Sequence, residues 1–555
     1  MTLLDSAVWD GKFFSDGWRD SATRQPVIEP ATGDRLGTVG HASPDDVRAA
    51  SARAAEAQRA WARTPPQQRA AVLRRAGELF TEHAAEIEEW LVREAGSVRA
   101  KAGFEAGLAI GECFECAGLP THPQGEVLTS EDARWSFARR RPAGVVSVIA
   151  PFNFPLVLGL RSVAPALALG NAVLLKPDPR TAVSGGVVIA RVFEEAGLPD
   201  GVLHLLPGDG SVGQAVVAAS EVRVVSFTGS TAVGRAIGEQ AGRLLKRAHL
   251  ELGGNNALVV LPGADVAKAA SAGAFGSYLH QGQICMTTGR HIVHESLHDD
   301  YVAALAAKAE ALPVGDPARE DVALGPIIDR RQLERVHRIV TDSVAAGAKV
   351  AAGGEIAGPA YRATVLTGLA PDMPAWQEEI FGPVAPVVGF STLEEAARIV
   401  DDCPYGLSVG ILGDVGTAMR LADLIESGKV HINEQTVGDE PNAPFGGVKA
   451  SGTGSRLGGA AANIEAFTET QSGDRPPGHR RLPLLTLPRS CRTPRPPPRR
   501  TPPHDIRSPL PHTGPQRLDG GPVLDHRPAG GLRPRRPRRH HPDPAEDPSP
   551  RHDRR

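Results

Sequence analysis

The sequence GVVSVIAPFNFPLVLGLRSVAPALALGNAVLLKP, residues 144–177, carries the clearest structural signal in this chain of 555 residues. It contains a short β-branched run, a turn marked by prolines, an apolar helical pattern and a second apolar run. The same alternation recurs downstream at VLHLLPG and VRVVSFTGS, each of which precedes a helical pattern. Strands that are apolar on both faces and separated by helices are typical of a mostly parallel sheet covered on both sides. We therefore predict an α/β fold whose ligands lie at the carboxyl ends of the strands.

A second series of strands and helices follows the first. It begins near Ala257 with ALVVL and includes the strand patterns APVVGF, LSVGILG and KVHIN. This pattern predicts a second α/β domain. Before the first series, VLTSEDARWSFARRR, residues 127–141, has the pattern of a polar hairpin or an excursion between domains, and we expect its strand partner late in the chain.

Composition separates the last part of the chain from the rest. Residues 473–555 contain 19 arginines, no lysine and 8 acidic residues, a net charge of +11 in a chain whose total is -3. They also contain 21 of the 48 prolines and no aromatic residue, so burial cannot offset the entropy lost on ordering. We predict a disordered Arg/Pro-rich tail. Such a composition is also typical of a shifted reading frame in GC-rich DNA, which we favour over a genuine appended tail.

The basic tail leaves open a function of another class, that of a nucleic-acid-binding or scaffold protein, because arginine clusters attract phosphate. The tail has no aromatic residue on which bases could stack, so we expect any such binding to be weak and salt-sensitive. Nucleic acid is therefore not an expected partner.

The cysteine content indicates a reducing compartment, because five cysteines in 555 residues are too few for a disulfide scaffold. The start of the chain, MTLLDSAVWDGKFF, lacks the basic residues and apolar run of a secretory signal, so we expect a cytoplasmic protein. The uncharged segment 143–160 has the length of a membrane span, but its prolines interrupt it. We expect no membrane partner.

No metal site is predicted. Cys113 and Cys116 form a CxxC pattern inside a helical stretch, and no second Cys or His pair stands at zinc spacing. His280, His291 and His294 surround a predicted strand without an HExxH pattern. We interpret the two cysteines as structural and expect no metal ion.

Three residues could carry covalent chemistry on a carbonyl. Cys285, in GQICMTTGR, is either a small buried hydrophobe or a nucleophile. Glu251, in ELGGNNALVV, is either a solvated or capping acid or a base that ionises a thiol or activates water. Asn153, in PFNFP, is either a turn residue or a donor to an oxyanion. These residues alone leave the alternatives open.

Two glycine clusters could bind phosphate. GDGSVG, residues 208–213, has the literal dinucleotide fingerprint, and GSTAVG, residues 229–234, also follows a strand and begins a helix. Neither is favoured by its own residues. Lys176, at the end of NAVLLK, is either a solvated lysine or a cation for a ligand at the sheet edge.

The motifs PFNFP, GNAVLLKP, FTGST, ELGGNN, GQICMTTGR, EEIFGPV and PFGG occur in one order over roughly residues 13–471. In order and spacing, the sequence resembles the NAD(P)-dependent aldehyde dehydrogenase superfamily, and it looks most like the benzaldehyde and vanillin dehydrogenase branch. The resemblance implies that Cys285 is the nucleophile, that Glu251 is the general base and that Asn153, with the Cys285 backbone N–H, forms the oxyanion hole. The cofactor residues that it implies are Lys176 and Gly210 near the adenosine, Gly229, Ser230 and Gly234 at the pyrophosphate, and Glu379 and Phe381 at the nicotinamide ribose.

The resemblance also implies an organisation of the chain. A Rossmann-type cofactor domain comprises residues 1–125 and 142–251, and an α/β catalytic domain comprises residues 252–440. A small oligomerisation sheet and the substrate-site segment comprise residues 126–141 and 441–472, which makes a homodimer or homotetramer the expected assembly.

The function implied by the resemblance is oxidation of an aldehyde, and by the branch it resembles an aromatic one, to its acid through a cysteine thiohemiacetal and a thioester, with NAD or NADP. The substrate pocket is expected to combine Val157, Leu158, Ile284, Met286 and residues 434–442. A semialdehyde or aliphatic substrate is the alternative. A charged substrate needs a cation, for which Arg161 is a candidate, although we favour a helix-surface or structural role for it.

Two departures from the family pattern have consequences. NAD-preferring relatives often carry a glutamate three residues after the lysine, where this chain has Pro179 beside Asp178. We therefore predict that NADP is accepted alongside NAD. The second departure follows TETQ, where relatives typically have an apolar strand and this chain continues into SGDRPPGHRRLP.

Overall fold

The structure is a computed structural model that describes residues 2–131 and 134–475. Its helices are, in chain order, α1 (Ser6–Trp9), α2 (Pro44–Trp61), α3 (Pro66–Glu82), α4 (Ala84–Ala95), α5 (Arg99–Cys116), α6 (Pro155–Ala168), α7 (Val188–Glu195), α8 (Gly210–Ala218), α9 (Thr231–Arg243), α10 (Val266–Tyr278), α11 (His298–Ala311), α12 (Arg330–Ala345), α13 (Pro374–Gln377), α14 (Leu393–Asp401), α15 (Val415–Ala422) and α16 (Ala460–Phe467). Short 3-10 or π-helical turns lie at Leu119–Thr121, Pro179–Thr181, Val183–Val187, Leu279–Gly282 and Glu295–Leu297.

The strands are β1 (Lys12–Ser15), β2 (Trp18–Asp20), β3 (Thr23–Ile28), β4 (Arg35–His41), β5 (Gly125–Leu128), β6 (Trp135–Pro142), β7 (Val145–Ile149), β8 (Ala172–Lys176), β9 (Leu203–Leu205), β10 (Val222–Thr228), β11 (Arg247–Glu251), β12 (Asn256–Val260), β13 (Thr288–His294), β14 (Lys349–Ala352), β15 (Ile356–Ala357), β16 (Ala360–Tyr361), β17 (Thr364–Thr367), β18 (Val384–Phe390), β19 (Tyr405–Gly406), β20 (Ser408–Leu412), β21 (Lys429–Ile432), β22 (Val448–Lys449) and β23 (Thr468–Arg475).

The first seven-stranded sheet has the order β11-β10-β7-β8-β9-β1-β2. Neighbouring strands from β11 to β9 pair in parallel, whereas β1 joins β9 and β2 antiparallel. Every residue of β7 and β8 is buried. This confirms the prediction, made from residues 144–177, of parallel strands that are apolar on both faces.

The direction in which strands are added to this sheet reverses between β7 and β10. From β7 the chain moves outward to β8 and β9, and it then returns to add β10 and β11 on the other side. Ligands of doubly wound sheets bind in the crevice beyond the carboxyl ends of the two strands at such a reversal. The turn at residues 150–154 follows β7 and GSTAVG follows β10, so both lie at this crevice.

The second seven-stranded sheet has the order β14-β17-β18-β13-β12-β20-β21, and all its neighbours except β14 and β17 are parallel. Only residues 252–255 separate β11 of the first sheet from β12 of the second. Glu251, the last residue of β11, therefore lies where the chain passes from one sheet to the other. None of the helices in the described ranges combines the length and apolar character needed to cross a bilayer.

A small antiparallel sheet has the order β23-β6-β5. It confirms that the hairpin at residues 127–141 finds its partner late in the chain, because β6 pairs with β23 along its whole length, from Pro142 with Thr468 to Trp135 with Arg475. Our boundary for the tail, residue 473, is therefore three residues too early: backbone pairing with β6 extends the strand regardless of the polar side chains. The rest of the predicted tail, residues 476–555, lies outside the described residues.

Candidate active site

Cys285 lies in the loop between the turn Leu279–Gly282 and β13, and hydrogen bonds hold this loop in place. Asn256, at the start of β12, donates its side-chain amide to the carbonyl oxygens of Cys285 and Thr287, both at 2.8 Å. The Thr287 hydroxyl in turn donates to the Gly282 carbonyl at 3.0 Å. The second sheet therefore fixes the backbone around the candidate nucleophile.

The surroundings of the partly exposed Cys285 thiol disfavour its ionisation. Burial raises its pKa to about 12, and the nearby carboxylates of Glu379 and Glu251 add to this rise. Backbone N–H groups of Met286 and Cys285 itself offset part of it. The thiol therefore needs a base or a neighbouring positive charge before it can act as a nucleophile.

Glu251 ends β11 with its carboxylate buried. Among the described residues, neither carboxylate oxygen has a regular hydrogen-bond partner. Burial raises the pKa of Glu251 to about 8, and the cations of Arg161 and Arg456, with the N–H of Gly447, offset only part of the rise. A carboxylate whose pKa is about 8 can accept and release a proton near neutral pH. The charge of Glu251 also contributes to the raised pKa of the Cys285 thiol.

Asn153 is buried in the turn that joins β7 to α6. Its carbonyl oxygen accepts a hydrogen bond from the Lys101 ammonium at 2.8 Å. The next residue, Phe154, belongs to the same apolar cluster as Cys285 and Met286. The turn that carries Asn153 therefore packs against the loop that carries Cys285, although their elements belong to different sheets.

The two glycine clusters differ in what already occupies their helix N-termini. In GDGSVG, the Asp209 carboxylate caps α8 by accepting hydrogen bonds from the Ser211 N–H at 2.9 Å and hydroxyl at 2.6 Å. A phosphate there would meet this negative charge. In GSTAVG, α9 begins after Ser230 without a side-chain cap, so its first N–H groups can face an anion. The strand order also puts GSTAVG, and not GDGSVG, at the crevice between β7 and β10.

The predicted glycines differ in how closely other atoms approach them. A Cβ at Gly229 would lie 2.5 Å from the Phe227 ring, and one at Gly234 would lie 2.3 Å from the Leu252 side chain. Both positions are therefore crowded. Gly210 has no such neighbour within 4 Å, and it begins a helix that follows β9, away from the crevice.

Lys176 ends β8, beside β7. Burial lowers the pKa of its ammonium, and the charge of Asp178 opposes that shift. Both Asp178 oxygens already accept hydrogen bonds from Arg180: its backbone N–H, Nε and one Nη each lie at 2.9 Å. Arg180 also pairs with Asp329 at 2.6 Å. The Asp178 carboxylate is therefore held by an arginine, and Pro179 between them has no acceptor side chain.

Glu379 and Phe381 precede β18 of the second sheet and contact segments that follow strands of the first sheet. The Glu379 carboxylate accepts a hydrogen bond from the Gly254 N–H at 3.1 Å, and burial raises its pKa to about 7. Phe381 has a φ of 57° and its ring meets that of Phe152 edge to face, with 5.8 Å between centroids. An uncapped helix terminus, a buried lysine and these two side chains fit a dinucleotide laid across the crevice.

An apolar cluster surrounds Cys285. It contains four residues expected in the substrate pocket, Val157, Leu158, Ile284 and Met286, together with Val437 from residues 434–442. The sequence did not identify its other members, which are Leu108, Phe154, Leu279, Leu407 and Phe445. Leu108 lies on α5, and only its apolar character marks it in the sequence.

Arg161 is a structural arginine. Its guanidinium forms an ion pair with Asp439 and donates to the carbonyl oxygens of Ala443 and Leu457 at 3.1 and 3.3 Å. Of the two roles favoured from the sequence, helix-surface or structural, the burial of Arg161 on the almost fully covered α6 supports the structural one. Its charge is matched by Asp439 and ties α6 to the segment before α16.

Other features of the described residues do not coincide with the predicted site. A cavity of about 710 Å³ lies between the β3–β4 hairpin and the start of α12; Pro179 and Arg180 line it, but none of the predicted catalytic or cofactor-binding residues does. Within residues 2–131 and 134–475, no group of three or more His, Cys, Asp or Glu side chains is placed to hold a metal ion.

Comparison with known proteins identifies the family. The aldehyde dehydrogenase family matches residues 18–472. A vanillin dehydrogenase from Amycolatopsis sp. is 64% identical over 473 residues, which cover 85% of this chain and 97% of the relative. A benzaldehyde dehydrogenase from Pseudomonas putida, named as using NAD(+), is 48% identical over 470 residues, which cover 84% of this chain and 96% of the relative. A crystal structure of a salicylaldehyde dehydrogenase from Pseudomonas putida G7, complexed with salicylaldehyde, has a TM-score of 0.82 and 35% identity, and covers 85% of this chain and 99% of that one.

These matches define the chain as an NAD(P)-dependent oxidoreductase with an α/β fold. It belongs to the aldehyde dehydrogenase family. The predictions of the family, fold class, enzyme class and cofactor pair, NAD or NADP, are therefore confirmed.

Proposed function

We propose that this enzyme oxidises an aromatic aldehyde such as benzaldehyde to the carboxylic acid. The observation that carries the proposal is that Cys285 is partly exposed against a cluster of apolar side chains, among them Met286 and Phe445. Such walls suit the ring of an aromatic aldehyde, because burying its apolar surface is favourable. Relatives named for vanillin, benzaldehyde and salicylaldehyde support the same class of substrate.

We propose the following roles for the site residues. Once the Cys285 thiol has lost its proton, the thiolate sulfur adds to the aldehyde carbon to give the oxyanion of a thiohemiacetal, which the Asn153 amide and the Cys285 N–H stabilise. When bound, the oxidised nicotinamide supplies the acceptor for the hydride that leaves this carbon. Glu251 then removes a proton from a water that opens the thioester and frees the acid. The Glu251 pKa of about 8 suits a group that must accept and release a proton near neutral pH.

The cofactor is assigned to the crevice between β7 and β10. Gly229, Ser230 and Gly234 would face the pyrophosphate at the uncapped start of α9, and Lys176 would bond the adenosine ribose. Glu379 and Phe381 would contact the nicotinamide ribose. Gly210 has the weakest support, because Asp209 caps its helix and no atom crowds it.

The cofactor residues also bear on the choice between NAD and NADP. At the position where a carboxylate would repel a 2′-phosphate, this chain has Pro179, and the adjacent Asp178 is paired with Arg180. We therefore propose that the enzyme accepts NADP alongside NAD.

An aromatic substrate is favoured over a charged semialdehyde. The buried cation nearest in sequence to the candidate oxyanion residue, Arg161, is paired with Asp439 and bonded to two carbonyl groups. Both of its Nη nitrogens are therefore already bonded, and only its buried Nε lacks a partner among the described residues.

We also propose a cytoplasmic homodimer or homotetramer with the domain limits predicted above, except that the last segment of the oligomerisation sheet extends to Arg475. The four described cysteines, Cys113, Cys116, Cys285 and Cys403, are free, as in a reducing compartment. The sheet β23-β6-β5 leaves Val127 and Trp135 exposed by 74% and 72%, which supports assembly through this sheet.

A panel of aldehydes assayed with both cofactors tests the proposal. We expect the kcat/KM for benzaldehyde and vanillin to exceed that for hexanal and succinic semialdehyde, with measurable rates for both NAD and NADP. A higher kcat/KM for the semialdehyde would contradict the substrate assignment, and a strict NAD requirement would contradict the cofactor assignment.

A further inference from the structure

A completely buried ion pair lies behind the turn that carries Asn153. Lys101 and Glu105 are one helical turn apart on α5, their charged atoms are 2.5 Å apart, and neither side chain is exposed to solvent. Burying two charges costs free energy that their attraction does not reliably recover, so such a pair is weak evidence of a stabilising role. What the pair contacts therefore matters more than the pair itself.

Apart from the bond to each other, both side chains bond to the backbone of the Asn153 segment. The Lys101 ammonium donates to the Asn153 carbonyl at 2.8 Å and lies 4.1 Å from the centre of the Phe154 ring. The Glu105 carboxylate accepts from the N–H groups of Leu156 and Val157 at 2.9 and 3.2 Å. Two of these four contacted residues precede α6 and the other two lie in its first turn, so the pair fixes the start of that helix.

The start of α6 has no cap of its own. Its N-cap residue, Phe154, has no side-chain oxygen, and no side-chain cap is formed there. The first N–H groups of a helix need partners when they are buried. Glu105 supplies these partners from another helix, and Lys101 balances the charge of Glu105 while holding the preceding carbonyl.

The same pair approaches the segment that leads to Cys285. The ring of His280, five residues before the cysteine, packs edge to face on Phe154 with 5.8 Å between centroids. Burial lowers the pKa of His280 well below its usual range, and the nearby Lys101 charge adds to this shift. The Lys101–Glu105 pair therefore lies behind both the oxyanion segment and the approach to the nucleophile.

We propose that Lys101 and Glu105 are positioning residues that hold the Asn153 amide toward the oxyanion formed on the aldehyde. This inference rests on the proposed function, in which Asn153 is the oxyanion donor. An amide that must meet a transient negative charge within hydrogen-bond distance works only if its backbone is fixed beforehand. Pro151 and Pro155, on both sides of Asn153, limit the conformations of the turn, and the buried pair holds its backbone against α5.

A double-mutant cycle between Lys101→Met and Asn153→Ala tests the proposal. Lys101 donates to the backbone carbonyl of residue 153, so this hydrogen bond is retained in Asn153→Ala. The cycle therefore isolates the part of the Lys101 effect on kcat/KM that depends on the Asn153 side-chain amide. We expect Lys101→Met to lower kcat/KM for benzaldehyde by about 10- to 100-fold alone, and by less than about 3-fold in the Asn153→Ala background. The Kd of NAD, measured by fluorescence quenching, should stay unchanged in each variant.

A matched control is Glu94→Gln. Glu94 is another buried carboxylate that caps a helical turn, accepting from the N–H groups of Val183 and Ser184 at 2.9 and 2.6 Å. If Glu94→Gln lowers kcat/KM by destabilising the fold, it should lower it by the same factor in the unaltered enzyme and in Asn153→Ala. If Lys101→Met does not fold, Lys101→Met/Glu105→Gln, which leaves no unpaired charge, takes its place in the cycle.

The outcomes separate this proposal from the proposed function. Suppose that Lys101→Met lowers kcat/KM by the same factor in the unaltered enzyme and in Asn153→Ala, and that Asn153→Ala is itself impaired. This result would overturn the positioning role of Lys101 and Glu105 but not the oxyanion role of Asn153. A fully active Asn153→Ala would overturn both.

Discussion

The pH dependence of turnover gives a direct test of Glu251 as the base. Its buried carboxyl has a pKa of about 8, so at pH 7 about one-tenth of the molecules hold it ionised, and at pH 6 about one-hundredth. A general base acts only when deprotonated. The rate of thioester hydrolysis should therefore rise about tenfold per pH unit from 6 to 7.5 and level off above about pH 9.

The assay must separate Glu251 from the thiol. Because the pKa of Cys285 is raised to about 12, thiol ionisation continues to increase beyond pH 9, where Glu251 is already ionised. Rapid mixing with benzaldehyde and NAD resolves a first burst of NADH, which reports addition and oxidation, from the slower phase, which reports hydrolysis. The plateau is expected in the slower phase. In Glu251→Gln, that phase should fall by about 10²- to 10⁴-fold and lose its pH dependence.

The neighbouring cation supplies a second check on the same carboxyl. The Arg456 charge lowers the pKa of Glu251, so Arg456→Met should move the midpoint of the slower phase to higher pH while leaving its plateau unchanged. Arg75→Met, at an exposed arginine paired with Glu82, is the control and should leave the midpoint in place. A slower phase that is flat between pH 6 and 9 in the unaltered enzyme would refute the assignment of Glu251 as the base.

Three other predictions concern the oxyanion, the cofactor and the tail. Asn153→Ala should lower kcat/KM for benzaldehyde by about 10²- to 10³-fold, and steady-state kinetics showing less than a threefold loss would be inconsistent with an oxyanion donor. Pro179→Glu should raise the ratio of kcat/KM with NAD to that with NADP by at least about tenfold, because a carboxylate there repels the 2′-phosphate, whereas Pro179→Gln should change it little. Truncation after Arg475, where β23 ends, should leave specific activity and Tm close to those of the full chain; loss of either would assign residues 476–555 a role in the enzyme.

The parallel strands were predictable because each carries its own signal. Every residue of β7 and β8 is buried, and all except Ser147 and Lys176 are apolar, so both strands stand out from the helices around them. By contrast, the placement of β1 next to β9 depends on pairing between residues about 190 positions apart, such as Phe14 with Leu205, and no local pattern encodes it.

The choice between the two glycine clusters shows where local sequence was insufficient. GDGSVG and GSTAVG both follow a strand and begin a helix, and the first is the better literal match. What distinguishes them is the order of strands across the sheet and the capping of α8 by Asp209, and both are properties of the folded chain. The family resemblance also implies GSTAVG as the pyrophosphate loop, independently of the strand order and of the capping of α8.

The groups that support the site were the least predictable. The partner of Arg161, Asp439, lies 278 residues away, and the partner of the Asn153 carbonyl, Lys101, lies 52 residues away. In the sequence, Lys101 and Glu105 are a lysine and a glutamate at helical spacing, the pattern of a solvated helix face. Only the packing of α5 against α6 shows that they are buried.

The measurement that tests the central claim most directly is NADH formation with benzaldehyde and NAD, monitored at 340 nm, by the unaltered enzyme and by Cys285→Ala. Cys403→Ala, at another free and partly exposed cysteine, is the matched control. A covalent mechanism through Cys285 predicts NADH formation by the unaltered enzyme and by Cys403→Ala, and none above background by Cys285→Ala. NADH formation by Cys285→Ala at a rate comparable to the unaltered enzyme would contradict it.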